Sequence, residues 1–335
     1  MKIVTCLLAL LLLASQVDAA EVKVVAESAY QWTGIAISQE NRMFVCYPTW
    51  SNYPAYKVAE IKNGEARPYP NAERAASFSC VQSVYADKDD YLWILDTGKP
   101  RGQKAEAGTA KLYKVDLKQN RIVWQYGFPA SVDLATSYLN DVRIDTKQGY
   151  AYLTDSTQGG LIVVNLRAQV PYARRALEGI KQVKADLPGI NFVSTGFDKH
   201  QTHSDGLELS PDGKTLYFAA LTGHTLYVVP TSKLRAATGQ QQTAAKAIKI
   251  VNKQSVPADG LWWAEGKLYM GDLANEGIYV FDLQTKKGHG IKLDRAIHWA
   301  DSFAQDKQGN IYFTTSQINY RKNPNEPYRI YQLKL

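Results

Sequence analysis

One pattern occurs six times along this chain of 335 residues: a polar residue, a small residue, an alternating run, a turn and a second alternating run. The six copies span residues 33–47, 82–96, 140–155, 205–221, 259–272 and 301–316. Most of the turns carry residues that start a turn or accept a positive φ, as in Pro211-Asp212-Gly213. Repetition constrains the fold strongly, because each hairpin needs its neighbours to bury its apolar face.

Further strand-like runs follow most of the hairpins, for example KLYKVD (111–116), LIVVNL (161–166) and GIYVFD (277–282). A unit of four strands and about 40–50 residues is typical of a β-propeller blade. The sequence therefore predicts an all-β fold, a six-bladed β-propeller with four-stranded blades, that occupies residues 20–335 as a single domain. An early strand near residues 22–27 is expected to complete the last blade. A β-sandwich of unrelated hairpins is the alternative.

The first nineteen residues carry the features of a secretory signal peptide. Lys2 precedes the apolar run LLALLLLA (7–14), which is short for a bilayer span, and Val17-Asp18-Ala19 suits a small-residue cleavage rule. We expect cleavage after about Ala19 and a secreted or periplasmic protein. No later apolar run is long enough to span a membrane, so no integral membrane segment is expected after cleavage. A retained anchor helix is the alternative.

The charge pattern argues against a nucleic-acid partner. The net charge is +7, yet no basic run is long enough for a nucleic-acid tail. Basic residues also do not alternate with aromatic ones as on a nucleic-acid platform. The GxSxG, P-loop and GxGxxG motifs are missing. We therefore expect no nucleic-acid partner. A small-molecule ligand is the expected partner, and the protein is expected to be a monomer.

Two cysteines, Cys46 and Cys80, lie outside the signal segment. Cys46 ends the second run of the first repeat, and Cys80 precedes the first run of the second repeat, so both are expected on the same side of neighbouring blades. In an oxidising compartment this pair predicts a disulfide between Cys46 and Cys80. Two buried thiols are the alternative.

The residue that opens each repeat is polar. These residues are Thr33, Gln82, Asn140, Asp205, Asp259 and Asp301. In a propeller the first strand of each blade lines the central channel, so the six side chains are expected around one mouth of that channel. Carboxylates that converge on one axis repel each other unless a cation or a shared proton offsets the repulsion.

These residues are the predicted ligand contacts. Asn140, Asp205 and Asp259 supply oxygen donors of the kind that Ca²⁺ or another divalent cation prefers. An organic ammonium ion beside tryptophan side chains is equally compatible. In both cases Asp301 is a further contact, and Thr33 and Gln82 add hydrogen bonds. Capping of strand starts by local hydrogen bonds is the alternative for the aspartates and Asn140.

Two histidines precede the opening residues of their repeats. His203 lies two residues before Asp205, and His298 lies three residues before Asp301. Because imidazole titrates near neutrality, Asp205 and His203 are the candidate catalytic residues, and His298 is a candidate ligand contact. Polar loop residues without a catalytic role are the alternative.

Several motifs resemble the yellow/major royal jelly protein family in its bacterial branch. They are FVCYPTW (44–50), WILDTG (93–98), KLYKVDL (111–117) and the long segments 139–166 and 204–234. That family is similar to the gluconolactonase/senescence-marker propellers, which also have six blades. The second resemblance implies a divalent metal held by a first-blade Glu and by later-blade Asn and Asp. Asn140 and Asp259 match these later positions, Asp205 stands where Asn is frequent, and Thr33 or Gly34 replaces the Glu.

The resemblance implies two kinds of activity. Some insect members of the yellow family resemble pigment-pathway enzymes, and salivary members bind biogenic amines in the channel. We expect a propeller that binds a small cationic or polyhydroxylated ligand at the channel mouth, with a divalent metal as an option. A Ca²⁺-dependent hydrolase of lactones or esters is one alternative, and a scaffold that binds a protein or glycan is another.

Overall fold

The computed structural model describes residues 20–50, 52–236, 239–320 and 323–334, so the predicted signal peptide lies outside the described residues. Six four-stranded antiparallel sheets contain all but two of the strands of the described chain. This confirms the predicted all-β fold and the six-bladed β-propeller.

The first three blades follow one another along the chain. Blade one contains β2 (Ile35–Ile37), β3 (Met43–Cys46), β4 (Val58–Lys62) and β5 (Glu65–Pro68). Blade two contains β6 (Val81–Ala86), β7 (Tyr91–Asp96), β8 (Lys111–Asp116) and β9 (Arg121–Gly127). Blade three contains β10 (Leu139–Asp145), β11 (Tyr150–Asp155), β12 (Gly160–Asn165) and β13 (Tyr172–Glu178).

The remaining blades complete the circle. Blade four contains β16 (Ser204–Leu209), β17 (Thr215–Ala220), β18 (Leu226–Pro230) and β19 (Lys249–Asn252). Blade five contains β20 (Ala258–Ala264), β21 (Lys267–Asp272), β22 (Gly277–Asp282) and β23 (Lys287–Gly290). Blade six contains β24 (Ala300–Gln305), β25 (Ile311–Thr315), β26 (Tyr328–Lys334) and β1 (Glu21–Ser28).

The N-terminal strand β1 closes the ring. It pairs with β26 from Glu21 opposite Lys334 to Ser28 opposite Tyr328. The strand predicted near residues 22–27 is therefore confirmed. This pairing gives blade six its fourth strand and ties the two ends of the described chain together.

Outside the blades, the described residues also form a two-stranded hairpin and five short helices. The hairpin pairs β14 (Ile190–Phe192) with β15 (Gly196–Asp198). The helices are α1 (Ala72–Ser77), α2 (Thr231–Leu234), α3 (Gln241–Lys246) and the 3-10 turns Lys181–Val183 and Ile318–Tyr320. None of the helices in the described ranges has the length and hydrophobicity needed to cross a bilayer.

The core is divided among the spaces between neighbouring blades. One cluster joins Phe44 of blade one to Ile94 of blade two, and another joins Leu95 of blade two to Leu153 of blade three. Similar clusters lie between all the other neighbouring pairs. Successive strand residues face opposite sides of a sheet, so every blade contributes apolar side chains to both of its neighbours.

The predicted disulfide between Cys46 and Cys80 is wrong for this structure, in which both residues are buried free thiols. Cys46 Sγ donates to the carbonyl oxygen of Gln82 at 3.3 Å, whereas Cys80 Sγ lies 3.7 Å from the hydroxyl of Tyr138. Burial also raises the pKa of the Cys46 thiol to about 12, so the thiolate needed for disulfide chemistry is strongly disfavoured.

Candidate functional site

The inner strands of five blades begin with a register shift. The shifts fall between Val81 and Ser83, Leu139 and Val142, Ser204 and Leu207, Ala258 and Leu261, and Ala300 and Phe303. A β-bulge of this kind sets two residues against one partner and re-aims their side chains. The residues predicted to open the repeats in these five blades therefore lie on bulges.

Two glycines let the inner strands approach each other closely. A Cβ atom on Gly206 would lie 2.1 Å from the carbonyl oxygen of Asp259, and one on Gly260 would lie 2.3 Å from that of Asp301. No side chain fits at these distances. The small residue after each opening aspartate thus brings the inner strands of blades four, five and six together.

Three aspartates meet at this mouth of the channel: Asp205, Asp259 and Asp301, here called the acid cluster. Asp205 and Asp301 are each only 3% exposed, and Asp259 is half-buried. Burial, followed by repulsion from Asp301 and Asp141, raises the pKa of Asp205 well above its usual range. Burial and repulsion from Asp301 and Asp205 do the same to the pKa of Asp259. The predicted convergence of these three residues is what the structure shows.

The third member holds its proton near neutrality. Burial raises the pKa of Asp301 to about 7, although the neighbouring hydroxyls of Ser316 and Ser302 act in the opposite direction. At neutral pH the acid cluster therefore contains bound protons that an incoming cation could displace.

A fourth carboxylate, Asp141, differs because it has a cation partner. Nη1 of the buried Arg143 lies 2.9 Å from both oxygens of Asp141, and Nε lies 2.9 Å from Oε2 of Glu208. Among the described residues no Lys, Arg or His forms an ion pair with the acid cluster. Arg143 is thus the counter-ion of Asp141, whereas the three aspartates of the acid cluster have no counter-ion in the described chain.

Trp299 forms one wall of the acid cluster. Its indole nitrogen donates a 2.6 Å hydrogen bond to Oδ2 of Asp259. Its ring stacks on Phe192 of the β14–β15 hairpin, with ring centroids 5.6 Å apart. Ile190, Leu221 and Leu273 complete this apolar cover. The hairpin, which belongs to the long excursion after blade three, therefore lies against the same mouth as the acid cluster.

The other opening residues have different roles. Thr33 is fully buried, and its hydroxyl donates to the carbonyl oxygen of Gln82 at 3.0 Å, so it joins blades one and two. Gln82 is 7% exposed, and its Oε1 accepts a 3.0 Å hydrogen bond from Tyr138. Asn140 is half-buried on its bulge. The ligand-contact predictions for Thr33, Gln82 and Asn140 stay predictions, and the geometry gives Thr33 a structural task.

The two histidines contact groups outside the acid cluster. Nδ1 of His203 accepts from the amide of Ala185 at 3.0 Å, and burial and Lys184 lower the pKa of His203. Nδ1 of His298 lies 3.2 Å from Oε2 of Glu276. Within the described residues neither histidine hydrogen-bonds to the acid cluster. The catalytic prediction for Asp205 with His203 and the ligand-contact prediction for His298 therefore stay predictions.

The donors at this mouth do not match the metal centre implied by the gluconolactonase resemblance. Thr33, which stands where that centre has a glutamate, has its hydroxyl engaged by the carbonyl of Gln82. Within residues 20–50, 52–236, 239–320 and 323–334, no three His, Cys, Asp or Glu side chains are grouped so that they could hold a metal ion. The Ca²⁺ ligand set of Asn140, Asp205 and Asp259 stays a prediction.

Comparison with known sequences identifies relatives for much of this chain. A family model described as "Major royal jelly protein" matches residues 79–261, which is more than half of the chain. Major royal jelly protein 3 of Apis mellifera is 26% identical over 231 residues, which cover 63% of this chain and 40% of that protein. Protein yellow of Drosophila melanogaster is 25% identical over 221 residues, which cover 58% of this chain and 40% of that protein. The matched part is thus well under half of these relatives' length.

Comparison with solved structures adds the fold alone. A gluconolactonase from Xanthomonas campestris superposes with a TM-score of 0.56 at 15% identity, covering 94% of this chain and 90% of that one. A streptogramin B lyase superposes with a TM-score of 0.57 at 10% identity, covering 95% and 98%. At these identities the shared propeller carries no information on activity.

Proposed function

The chain belongs to the major royal jelly protein family, and from that premise we propose that the acid cluster binds a small organic cation at the channel mouth. One observation carries the proposal: Asp205, Asp259 and Asp301 lie together, largely buried, without a cation partner among the described residues. Such an arrangement is costly unless protons or a ligand cation offset the repulsion. A secreted or periplasmic site of action is part of the proposal.

An ammonium group suits this site chemically. It carries three donors and one positive charge, and the acid cluster offers carboxylate oxygens as acceptors. Because Trp299 already donates to Oδ2 of Asp259, that carboxylate is held in a fixed orientation. Bound cation and bound proton compete, so binding is expected to lower the pKa of Asp301 and release protons. The nearby aromatic pair of Trp299 and Phe192 supports a ligand with an apolar body.

A calorimetric titration with 2-phenylethylamine tests the proposal, with 2-phenylethanol as the neutral counterpart of similar shape. We expect the amine to bind and the alcohol to bind at least about tenfold more weakly at about pH 8. The double variant Asp205→Asn and Asp259→Asn should lose amine binding. A matched control, Glu65→Gln with Asp89→Asn, removes two exposed carboxylates elsewhere and should bind normally.

The outcomes separate the alternatives. Equal affinity for amine and alcohol would reject recognition of a cation and favour a polyhydroxylated or neutral ligand. Turnover of a lactone panel that requires added Ca²⁺ would favour the metal-dependent hydrolase instead. If the acid-cluster variant still bound the amine and still bound a protein or glycan partner, the scaffold function would be the better account.

A further inference from the structure

A cavity of about 370 Å³ opens at the other end of the channel from the acid cluster. Strands β10 and β16 begin beside the acid cluster, and the turns that follow them help to line this cavity. We call it the far-mouth cavity. The residues that matter here are Tyr85, Lys88, Thr146, Lys147, Glu208 and Trp263. Its volume falls in the range of small-molecule sites, about 300–1,000 Å³.

Every carboxylate that lines the far-mouth cavity already has a cation partner. The pairs are Asp145 with Arg235 at 3.5 Å, Glu208 with Arg143 at 2.9 Å and Asp212 with Lys214 at 3.4 Å. The second oxygens of Asp145 and Glu208 accept backbone amides, from Gln148 and Leu209. The carboxylate groups of this cavity are therefore engaged within the protein.

The unpaired side-chain groups of the far-mouth cavity are two ammonium groups and two hydroxyls, each of which can donate a hydrogen bond. Oγ1 of Thr146 is buried and has no hydrogen-bond partner among the described residues. The ammonium groups of Lys88 and Lys147 are exposed and form no ion pair with the described chain. The hydroxyl of Tyr85 likewise makes no hydrogen bond within the described ranges. A buried hydroxyl without a partner carries a desolvation cost that a ligand acceptor would relieve.

We propose that the far-mouth cavity binds a small organic carboxylate with an aromatic body. Its carboxylate oxygens would accept hydrogen bonds from Thr146 and from the lysine pair, Lys88 and Lys147. Its ring would pack against Tyr85 and Trp263, which supply the aromatic walls. Arg143 is shared between Glu208 and Asp141, so the positive charge available to an anion comes from Lys88 and Lys147, which form no ion pair with the described chain. This site is independent of the acid cluster, which favours the opposite charge.

Titration with benzoate, followed by calorimetry and by the indole N–H signal of Trp263 in NMR spectra, tests the proposal. Assignment of that signal uses Trp263→Phe. We expect benzoate to bind at least about tenfold more tightly than the neutral benzamide. Thr146→Val and the double variant Lys88→Gln with Lys147→Gln should each weaken benzoate binding, the latter by about tenfold or more. Lys104→Gln with Lys118→Gln removes two exposed lysines elsewhere and should leave the affinity unchanged.

Any of the following results would overturn the proposal. They are equal affinity for benzoate and benzamide, undiminished binding in the Lys88 and Lys147 variant, and no binding at millimolar benzoate. The acid-cluster variant, Asp205→Asn with Asp259→Asn, should retain benzoate binding. Loss of benzoate binding in that variant would indicate that benzoate binds at the acid cluster, which would also contradict the proposal.

Discussion

Nε1 of Trp299 donates a 2.6 Å hydrogen bond to Oδ2 of Asp259, and this contact joins the apolar cover to the acid cluster. Trp299 has φ of 66°, a left-handed conformation that is unfavourable for a bulky side chain. Strain of this kind persists only where the surroundings impose it, and it is frequent at functional sites. The stack with Phe192 and the bond to Asp259 both depend on that conformation.

Loss of the indole donor should weaken cation binding. Trp299→Phe keeps an aromatic ring but removes the hydrogen bond that favours the ionised form of Asp259. We expect the pKa of Asp259 to rise further and amine affinity near pH 7 to fall about ten- to a hundredfold, in line with about 1.5–3 kcal/mol for a hydrogen bond to a charged group. Calorimetry with 2-phenylethylamine measures the change. Trp124→Phe on β9 is the matched control, and equal affinities in the two variants would count against a role for Trp299.

Repulsion within the acid cluster should make the ligand-free protein less stable at higher pH. The folded protein holds protons on Asp205 and Asp301 more tightly than the unfolded chain does, because both pKa values are raised. Their contribution to the free energy of unfolding is therefore fully present below the ordinary aspartate pKa of about 4. It is lost as the pH rises through about 7.

Asp205→Asn should remove part of that dependence. We expect the variant to be more stable than the parent by on the order of 2 kcal/mol at about pH 8 and nearly equal to it at about pH 4. Urea unfolding at both pH values gives the two differences. Destabilisation of similar size at both pH values would show that Asp205 makes structural contacts instead of suffering repulsion.

Close approach of the inner strands should make Gly206 intolerant of any side chain. In Gly206→Ala the new Cβ would lie 2.1 Å from the carbonyl oxygen of Asp259, so the strands must separate. We expect a loss of stability of about 1–3 kcal/mol together with loss of amine binding. Gly127→Ala, where no atom lies within 4 Å of the added Cβ, is the control for thermal unfolding. Equal stability of the two variants would be incompatible with the packing described.

Both described cysteines should be found as thiols. If the protein is denatured and alkylated without a reductant, peptides that contain Cys46 and Cys80 should both carry the alkyl group, because burial disfavours the Cys46 thiolate. Mass spectrometry of the digest provides the measurement. A cross-linked Cys46–Cys80 peptide from protein exported to an oxidising compartment would restore the disulfide predicted from the sequence.

The repeat pattern alone was enough to predict the blades and to bring Asp205, Asp259 and Asp301 to one mouth. Their convergence follows from a period that places the same register position at the same height in every blade. The bulges could not be predicted in this way, since they depend on how two strands pair and not on the residues of one strand.

Long-range contacts explain the remaining differences. The engagement of Thr33 with the carbonyl of Gln82 is a contact between blades, and polarity in the sequence does not distinguish it from a ligand contact. Phe192 reaches Trp299 from an excursion of irregular pattern more than a hundred residues earlier. Such packing has no local signal, so the aromatic cover was missed.

Proton release on binding tests the central claim most directly. The claim is that an organic cation takes the place of protons shared within the acid cluster, where the pKa of Asp301 is about 7. Calorimetric titrations of 2-phenylethylamine near pH 7, in two buffers with different ionisation enthalpies, measure the protons released. We predict a net release for the parent protein that declines toward zero at about pH 9, and no amine binding in Asp205→Asn with Asp259→Asn. Binding heats that are the same in both buffers, or undiminished binding in that double variant, would contradict the claim.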